Sequence, residues 1–262
     1  MRYAECRVVL LWIAALFAAA APASAETIVV KPSTLTATGW KTAIQAPEGK
    51  TAAYKFVKGL GTPPAGSGSL NMRVSSADTD PLPKVYMGTN NFSGVKLAKI
   101  TQFRLWICPR WNDYRGAQPA TVELAATDGG NTRLFTFLPW GIEPSGYFGR
   151  RKWREHDLMK AGGAWELTNV DVAKRKGDWQ WVLSNYADSW IATPPAADWE
   201  HGTLPGTGVN IKIGAGKAVG PTEGRAWWRE SCGCNAYVDR LTIGYLNDAG
   251  QEVVKTYDFE AD

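Results

Sequence analysis

The feature that most constrains the fold of this chain is a series of short runs in which apolar and polar side chains alternate. Gly, Pro, Asn and Asp interrupt these runs at short intervals, and sustained helical periodicity is nearly absent. Residues 100–107 show the pattern clearly, because Phe103 and Leu105 share one face whereas Arg104 and Trp106 share the other. The spacing predicts an all-β, two-sheet antiparallel β-sandwich, or jelly roll, with long aromatic-rich loops.

The same pattern places further strands along the chain and at most one short helix. Residues 178–186 are the candidate helix, although Trp179 and Trp181 at alternate positions also fit one face of a strand. No internal repeat or low-complexity linker divides the sequence. The further strands are predicted at residues 27–31, 53–57, 70–74, 121–125, 134–138, 165–170, 209–213, 237–245 and 253–259.

The first 25 residues have the pattern of a secretory signal peptide of bacterial type. Arg2 and Arg7 precede an uncharged apolar run, and the segment ends in A-S-A at residues 23–25. This run is too short to span a bilayer comfortably, and no later segment approaches transmembrane length. We therefore expect residues 26–262 to form a single β-sandwich domain that is secreted or periplasmic and has no membrane span.

Cysteine usage predicts a disulfide bond. Removal of the signal peptide would take Cys6 with it and leave Cys108, Cys232 and Cys234. In an oxidising compartment Cys108 is expected to pair with either Cys232 or Cys234, while the remaining thiol stays free or is engaged elsewhere. A bridge that closes so long a loop would contribute on the order of 4 to 5 kcal/mol in the chain-entropy model. Zinc is the alternative, but the chain has only two histidines.

Tryptophan is abundant, with 13 residues in 262, and several tryptophans lie in long loops predicted at residues 109–119, 139–157 and 191–208. Such loops are often functional in a compact domain. A sugar ring stacks its C–H face on an aromatic ring, while Asp, Asn and Arg bond to its hydroxyls. The loops therefore favour non-catalytic glycan binding. The candidate ligand-binding residues are Trp111, Asn112, Asp113, Tyr114, Arg115, Trp140, Tyr147, Arg151 and Trp153.

Two other functions remain open. In a structural or adhesive extracellular protein the loop aromatics would only hold the loops against the sandwich, and no glycan would bind. In a polysaccharide lyase or glycoside hydrolase, Glu155, His156 and Asp157 are the catalytic candidates. The carboxylates that concanavalin-like glycosidases place along one strand are missing, as are the G-x-S-x-G, H-E-x-x-H and P-loop motifs. The sequence thus favours binding over catalysis.

Charge says less about the partner than the aromatic residues do. Basic side chains cluster at residues 150–154 and 174–176, but the formal net charge of the whole chain is only +4. Nucleic acid is not expected, because no recognised nucleic-acid-binding motif is present. The expected partner is a polysaccharide or cell-surface glycan, and an acidic polysaccharide would use the same basic clusters.

Three segments resemble a known family. Residues 237–245 read Y-V-D-R-L-T-I-G-Y, residues 256–260 read T-Y-D-F-E, and residues 62–69 read T-P-P-A-G-S-G-S. This combination resembles a family of exported bacterial jelly-roll domains, largely uncharacterised, whose fold is similar to carbohydrate-binding modules and concanavalin-like lectin domains. The resemblance implies architecture more firmly than it implies activity.

The C-terminal segments are predicted to form a closing β-hairpin. The side chains expected to be buried are Leu241, Ile243, Tyr257 and Phe259. Asp258 and Glu260 are expected to face outward. The carboxylates then either lie in solvent or bind a structural calcium ion with backbone carbonyls, since calcium prefers oxygen ligands. The candidate ligands are Asp239, Asp258 and Glu260, although no EF-hand loop is present.

Overall fold

The computed structural model describes residues 24–75, 83–109, 120–137, 152–160, 165–167, 176–193, 206–214 and 234–262. These residues form two β-sheets and one α-helix, which confirms the predicted all-β, two-sheet sandwich. No helix within these ranges is both long and apolar enough to cross a membrane.

The described elements follow one another along the chain as short strands, with the helix α1 at Trp179–Tyr186 between the eleventh and twelfth strands. In chain order the strands are β1 (Ser24–Val30), β2 (Trp40–Gln45), β3 (Ala52–Lys58), β4 (Gly68–Val74), β5 (Lys84–Thr89), β6 (Ile100–Pro109), β7 (Thr121–Thr127), β8 (Thr132–Phe137), β9 (Arg154–Asp157), β10 (Trp165–Leu167), β11 (Lys176–Gly177), β12 (Trp190–Ile191), β13 (Val209–Ile213), β14 (Cys234–Leu246) and β15 (Glu252–Phe259).

The first sheet contains seven of the described strands in the order β1-β15-β14-β4-β3, and β6 and β9 extend it from β14. Its neighbours are antiparallel except for β1, which runs parallel to β15. The two strands lie at opposite ends of the described chain, so no tight hairpin connection imposes an antiparallel pairing on them. The predicted antiparallel sandwich is therefore correct except at this edge.

The second sheet contains eight of the described strands in the order β11-β10-β8-β7-β13-β5-β2, and β12 pairs with the end of β7. Residues in the central strands are buried on both faces of this sheet, as the continuous burial of β5 and β13 shows. One face packs against the first sheet, and we refer to the opposite face as the outer face of the second sheet.

Large aromatic side chains fill the core between the sheets. Trp165 of the second sheet is 1% exposed, and its ring lies 5.9 Å from Phe103 of the first sheet. Its ring centroid is also 5.4 Å from those of Phe137 and Trp179, so one indole joins both sheets and the helix. The helix begins where the Asp178 carboxylate accepts a hydrogen bond of 2.9 Å from the Trp181 amide, which confirms the helix predicted at residues 178–186.

Every strand predicted from alternation overlaps an observed strand, and in β6 the alternate burial of Phe103 and Leu105 against exposed Arg104 is confirmed. Five strands were not predicted: β2, β5, β9, β11 and β12. Strand β5 lacks a clear apolar and polar alternation because the positions that alternate with its core residues Val85 and Met87 include Tyr86 and Gly88, which are not charged or strongly polar. Strands β9 and β12 are short and lie in segments predicted as loops, where local sequence carries little periodic signal.

The structure gives no support to the predicted disulfide bond from Cys108, because it describes Cys108 as a free and buried cysteine. The Cα partner of Cys108 on β14 is Tyr237, whereas Cys234 pairs with Val74 of β4. Three residues of strand, about 10 Å, separate Cys234 from Tyr237. A disulfide requires Cα atoms only about 4.4 to 6.8 Å apart, so Cys234 is out of reach. Cys232 lies outside the described residues.

We expect iodoacetamide to leave Cys108 unmodified in the native protein and to modify it after unfolding without reductant. Burial raises the pKa of the Cys108 thiol to about 11, and only the thiolate reacts readily. Mass spectrometry of the peptide that contains Cys108, from samples with and without dithiothreitol, checks this result. Modification that occurs only after reduction would restore the disulfide prediction, and rapid modification of the native protein would contradict the burial.

Candidate functional site

Most of the ligand-binding residues predicted from the loops are not placed by the structure. Trp153 is described, and its indole N–H donates a hydrogen bond of 2.9 Å to the Leu60 carbonyl in the loop between β3 and β4. The polar edge of Trp153 therefore holds a loop in place. The predicted residues that lie outside the described part of the chain are Trp111, Asn112, Asp113, Tyr114, Arg115, Trp140, Tyr147 and Arg151.

The catalytic candidates on β9 do not converge. His156 is 7% exposed and pairs with Leu105, whereas Glu155 and Asp157 lie on the opposite face because consecutive strand residues alternate. Glu155 forms an exposed ion pair of 3.9 Å with Arg104. Asp157 accepts a hydrogen bond of 3.0 Å from the Met159 amide at the turn that follows the strand. The strand therefore separates the histidine from both carboxylates.

The candidate calcium ligand Asp239 holds backbone amides together. It is completely buried, and its Oδ1 accepts hydrogen bonds from the amides of Arg240, at 2.7 Å, and Phe259, at 3.1 Å. Its Oδ2 accepts one from the Ala65 amide at 3.2 Å. Burial raises the pKa of Asp239 to about 7, the nearby Asp258 contributes to the rise, and the three amide donors oppose it.

The other two candidate calcium ligands lie beside the loop between β3 and β4. Glu260 Oε1 accepts a hydrogen bond of 2.6 Å from the Ser67 amide, and a Cβ atom at Gly66 would overlap this carboxylate. Asp258 lies on the strand face opposite Tyr257 and Phe259, as predicted, but it is only 8% exposed. Among the described residues, no group of three or more acidic, histidine or cysteine side chains is arranged to hold a metal ion. Backbone amides bond to both oxygens of Asp239 and to one oxygen of Glu260.

These contacts join the three segments on which the family resemblance rests. Residues 62–69 supply amide groups, and the segments at 237–245 and 256–260 supply Asp239 and Glu260 as acceptors. Arg240 adopts a left-handed conformation with a φ of 49° at the irregularity in the pairing of β14 with β6. The predicted burial of Leu241, Ile243, Tyr257 and Phe259 is confirmed, since each is 0% exposed. This cluster therefore acts as a structural junction.

A different group of polar side chains crosses the outer face of the second sheet. Each of these residues is the direct partner of the next one on the neighbouring strand, so the register of the strands places them in one line. We call this line the polar row; from β2 to β10 it consists of Lys41, Gly88, Asn210, Glu123, Thr136 and Glu166. Lys41, on the edge strand β2, is exposed, and every other member of the row is buried.

An ion pair lies at the centre of this face. The Lys212 ammonium group bonds to Glu123 Oε1, and the side chains of the two residues are 7% and 0% exposed. The Lys212 nitrogen also lies 6.0 Å from the ring centroid of Tyr86, its partner on β5. A buried ion pair adds little net stability compared with apolar residues of the same shape. Its presence here therefore favours a functional role for the face.

Asn210 occupies a tight corner of the polar row. Its Oδ1 accepts a hydrogen bond of 2.6 Å from the Thr207 hydroxyl, and a Cβ atom at Gly88 would overlap the same oxygen. Only glycine at position 88 therefore leaves room for the Asn210 amide above β5. Asn210 is 0% exposed, and within the described part of the chain its Nδ2 has no hydrogen-bond partner.

Trp190 lies at one end of the same face. It pairs with Thr127, which follows Glu123 by four residues on β7. Thr127 and Glu123 therefore share the outer face and lie about 13 Å apart along the strand. Trp190 is partly exposed, whereas its neighbour Ile191 is buried in the core. An aromatic ring that water reaches thus lies near a line of hydrogen-bonding groups.

Sequence reasoning predicted the strands at 121–125 and 209–213 but missed the site that they form. The alternation V-N-I-K-I at residues 209–213 indicates one apolar and one polar face, and the polar face of an antiparallel sheet is ordinarily in solvent. The signal for this site would have been charged residues, Glu123 and Lys212, at alternate positions of two strands that are central in the sheet. Recognising it requires the strand order. No family model, curated protein or solved structure matches the chain in the three comparisons that were made.

Proposed function

We propose that this protein is a secreted or periplasmic β-sandwich that binds a polysaccharide or cell-surface glycan without cleaving it. The ligand contacts the outer face of the second sheet where its side chains reach solvent, at the partly exposed Trp190 and at the exposed Lys41. The observation that supports the proposal most directly is the polar row itself. It sets directional hydrogen-bonding groups in line across neighbouring strands, close to a partly exposed indole.

The chemistry of this face suits a sugar. A pyranose ring needs an aromatic surface for its C–H groups, and Trp190 offers one. Hydroxyl groups both donate and accept hydrogen bonds, and Lys41, the exposed member of the polar row, provides a charged donor. An apolar face would pack the sheet equally well, so polar groups at buried positions are better explained by recognition than by folding.

The aromatic loops predicted from the sequence belong to the same proposal. Trp111 and Trp140 lie outside the described residues, and the sequence alone proposes that each stacks on a sugar ring. Trp153 fits this role less well, because its indole N–H already bonds to the Leu60 carbonyl. The partner of Trp190 on β7, Thr127, lies about 13 Å along the strand from Glu123 of the polar row. This distance favours a chain of several sugars over a single one.

A glycoside hydrolase is the second candidate function. Glu123 and Glu166 share the outer face, because both pair with Thr136 of β8 from opposite sides. Their Cα atoms are therefore separated by two strand spacings, or about 10 Å, and hydrolysis of a glycosidic bond ordinarily uses a pair of carboxyl groups. Release of reducing ends from a bound polysaccharide, and its loss in Glu166→Gln, would favour this function over simple binding.

Affinity electrophoresis against a panel of neutral and acidic polysaccharides tests the proposal. We expect at least one polymer to retard the wild-type protein and Trp190→Ala to bind it about tenfold more weakly, since aromatic contacts contribute on the order of 1 kcal/mol or more. Trp181→Ala is the matched control, because Trp181 lies on the helix α1, where its ring packs against that of Tyr186. It should bind like the wild type.

The loop tryptophans are examined in the same gel with Trp111→Ala and Trp140→Ala, each expected to weaken retardation. Circular dichroism of every variant confirms that the fold is retained. If no polysaccharide in the panel retards the wild-type protein, the proposed function is overturned, and the structural or adhesive alternative becomes the better explanation.

A further inference from the structure

We propose that the sugar stacked on Trp190 carries a carboxylate group and that Lys96 binds this group. The proposal rests on the proposed function, because it names the class of glycan that the Trp190 end of the outer face recognises. The expected ligand is an acidic polysaccharide built from uronic acid residues.

Lys96 and Trp190 are direct neighbours across an isolated antiparallel bridge. The amide of the residue that follows each partner donates a hydrogen bond of 2.8 Å to the carbonyl of the residue that precedes the other. A pair flanked by hydrogen bonds in this way has its Cα atoms about 4.5 Å apart, and its side chains project on the same side. The lysine side chain therefore extends beside the indole.

The same bridge places Lys96 on the outer face of the second sheet. Trp190 pairs with Thr127 of β7 on one side and with Lys96 on the other, so the three side chains lie in one line across neighbouring segments. Lys96 and Trp190 are both partly exposed, so solvent reaches each of them. A sugar that stacks on the indole therefore meets the lysine next to it.

The turn between β7 and β8 leaves space beside the indole. A Cβ atom at Gly129 would lie 3.5 Å from Cη2 of Trp190, so the ring lies against this turn. Gly129 has a φ of 95°, in the left-handed region that favours glycine, and Gly130 follows it. Any side chain at position 129 would begin in contact with the ring, whereas glycine leaves that space to a ligand.

The charge of Lys96 is available to a ligand. Within the described ranges its ammonium group forms no hydrogen bond or ion pair. The carboxylate of Asp128, in the turn beside the indole, is engaged by the Arg133 guanidinium group at 2.6 Å and by two backbone amides. Asp188, two residues before Trp190, is exposed, and solvent screens its charge. An unpaired ammonium group bonds more strongly to a carboxylate than to a hydroxyl group, so this site favours an acidic sugar.

The test compares polygalacturonate with its methyl-esterified form, which has the same sugar backbone without the negative charges. We expect isothermal titration calorimetry to show polygalacturonate binding about tenfold more tightly than the ester, and Lys96→Gln to remove most of that difference. Lys96→Arg keeps the charge and should keep the preference. Added salt should weaken polygalacturonate binding to the wild type more than to Lys96→Gln, because salt screens the charged contact. Alginate and its propylene glycol ester serve as a second uronate pair.

Lys99→Gln is the matched control, since Lys99 lies three residues further along the same segment and its ammonium group bonds to Asp248 at 2.8 Å. It should keep the wild-type preference. Trp190→Ala should weaken binding of the acid and of the ester alike, because an aromatic ring contacts the sugar whether or not the sugar is charged. Circular dichroism of each variant checks that the fold is retained.

Three outcomes separate the two proposals. Preference for a uronate polymer over its ester that depends on Lys96 supports both. Polysaccharide binding without such a preference, or with a preference that Lys96→Gln retains in full, overturns the role of Lys96 while the proposed glycan binding stands. Failure of every polysaccharide to bind the wild-type protein overturns both.

Discussion

Replacement of Trp165 by alanine is expected to lower the free energy of unfolding by about 3 to 5 kcal/mol, the usual range for truncation of a buried large aromatic residue. Trp165 is 1% exposed, and its ring contacts Phe103 of the first sheet as well as Phe137 and Trp179. Its indole N–H also donates a hydrogen bond of 2.6 Å to the Leu158 carbonyl. Alanine would leave a cavity between the sheets and a buried carbonyl without a donor.

Chemical denaturation followed by far-UV circular dichroism measures this effect, because the two-sheet fold unfolds with loss of its strand signal. Trp190→Ala is the matched control, since Trp190 is partly exposed at the end of β7 and its ring does not enter the core. A loss below about 1.5 kcal/mol for Trp165→Ala would show that the sheets repack around the site and that the indole does not join them.

Removal of one member of the Glu123–Lys212 pair is expected to destabilise the fold by about 3 to 5 kcal/mol, because the remaining charge stays buried without its counterion. The side chains of Glu123 and Lys212 are 0% and 7% exposed. We expect Lys212→Met and Glu123→Leu each to show this loss. The double variant should recover most of it, since two apolar side chains of similar volume do not require desolvation of charge.

A double-mutant cycle from urea denaturation measures the coupling between the two residues. The control is Asp248→Asn, which removes the Lys99–Asp248 ion pair of 2.8 Å on the surface, where the Asp248 side chain is fully exposed. Exposed pairs are screened by solvent, so this variant should unfold like the wild type. Additive losses in the double variant would show that Glu123 and Lys212 do not stabilise each other.

The same variants bear on function. If the outer face of the second sheet serves only to stabilise the fold, the double variant should keep whatever ligand binding the wild type shows. If the face binds glycan, the double variant folds but loses affinity, because a central acceptor and the neighbouring charge are both gone. Stability and binding therefore respond differently, and the comparison distinguishes a recognition surface from a buried polar layer.

The strands that local sequence predicts well are those with one apolar face. In β6, β13 and β15 the spacing of apolar residues matches the two-residue period of a strand, and the observed strands overlap the predicted ones closely. At residues 178–186 the sequence left a helix and a strand both open, because Trp179 and Trp181 at alternate positions also fit one face of a strand. The structure decides for the helix, whose first turn is capped by Asp178. Strand β5 was not predicted because Tyr86 and Gly88 on its outer face weaken the alternation with the core residues Val85 and Met87.

The candidate site could not be predicted in the same way. Lys41, Gly88, Asn210 and Glu123 come from four strands that are far apart in the sequence, and each residue looks ordinary in its own segment. They form a line only because the order β7-β13-β5-β2 and the register of each pair bring them side by side. A shift of one residue in any pairing would turn a member to the core face.

The sequence by itself determined that this chain forms an all-β sandwich, because alternation and turn residues act over a few neighbouring positions. It also predicted the buried residues of the closing hairpin, such as Tyr257 and Phe259. Only the tertiary structure decided that Cys108 stays free, that Asp239 and Glu260 hold a loop, and that polar side chains line a buried sheet face. Those features depend on register between distant strands, and no local pattern of residues encodes that register.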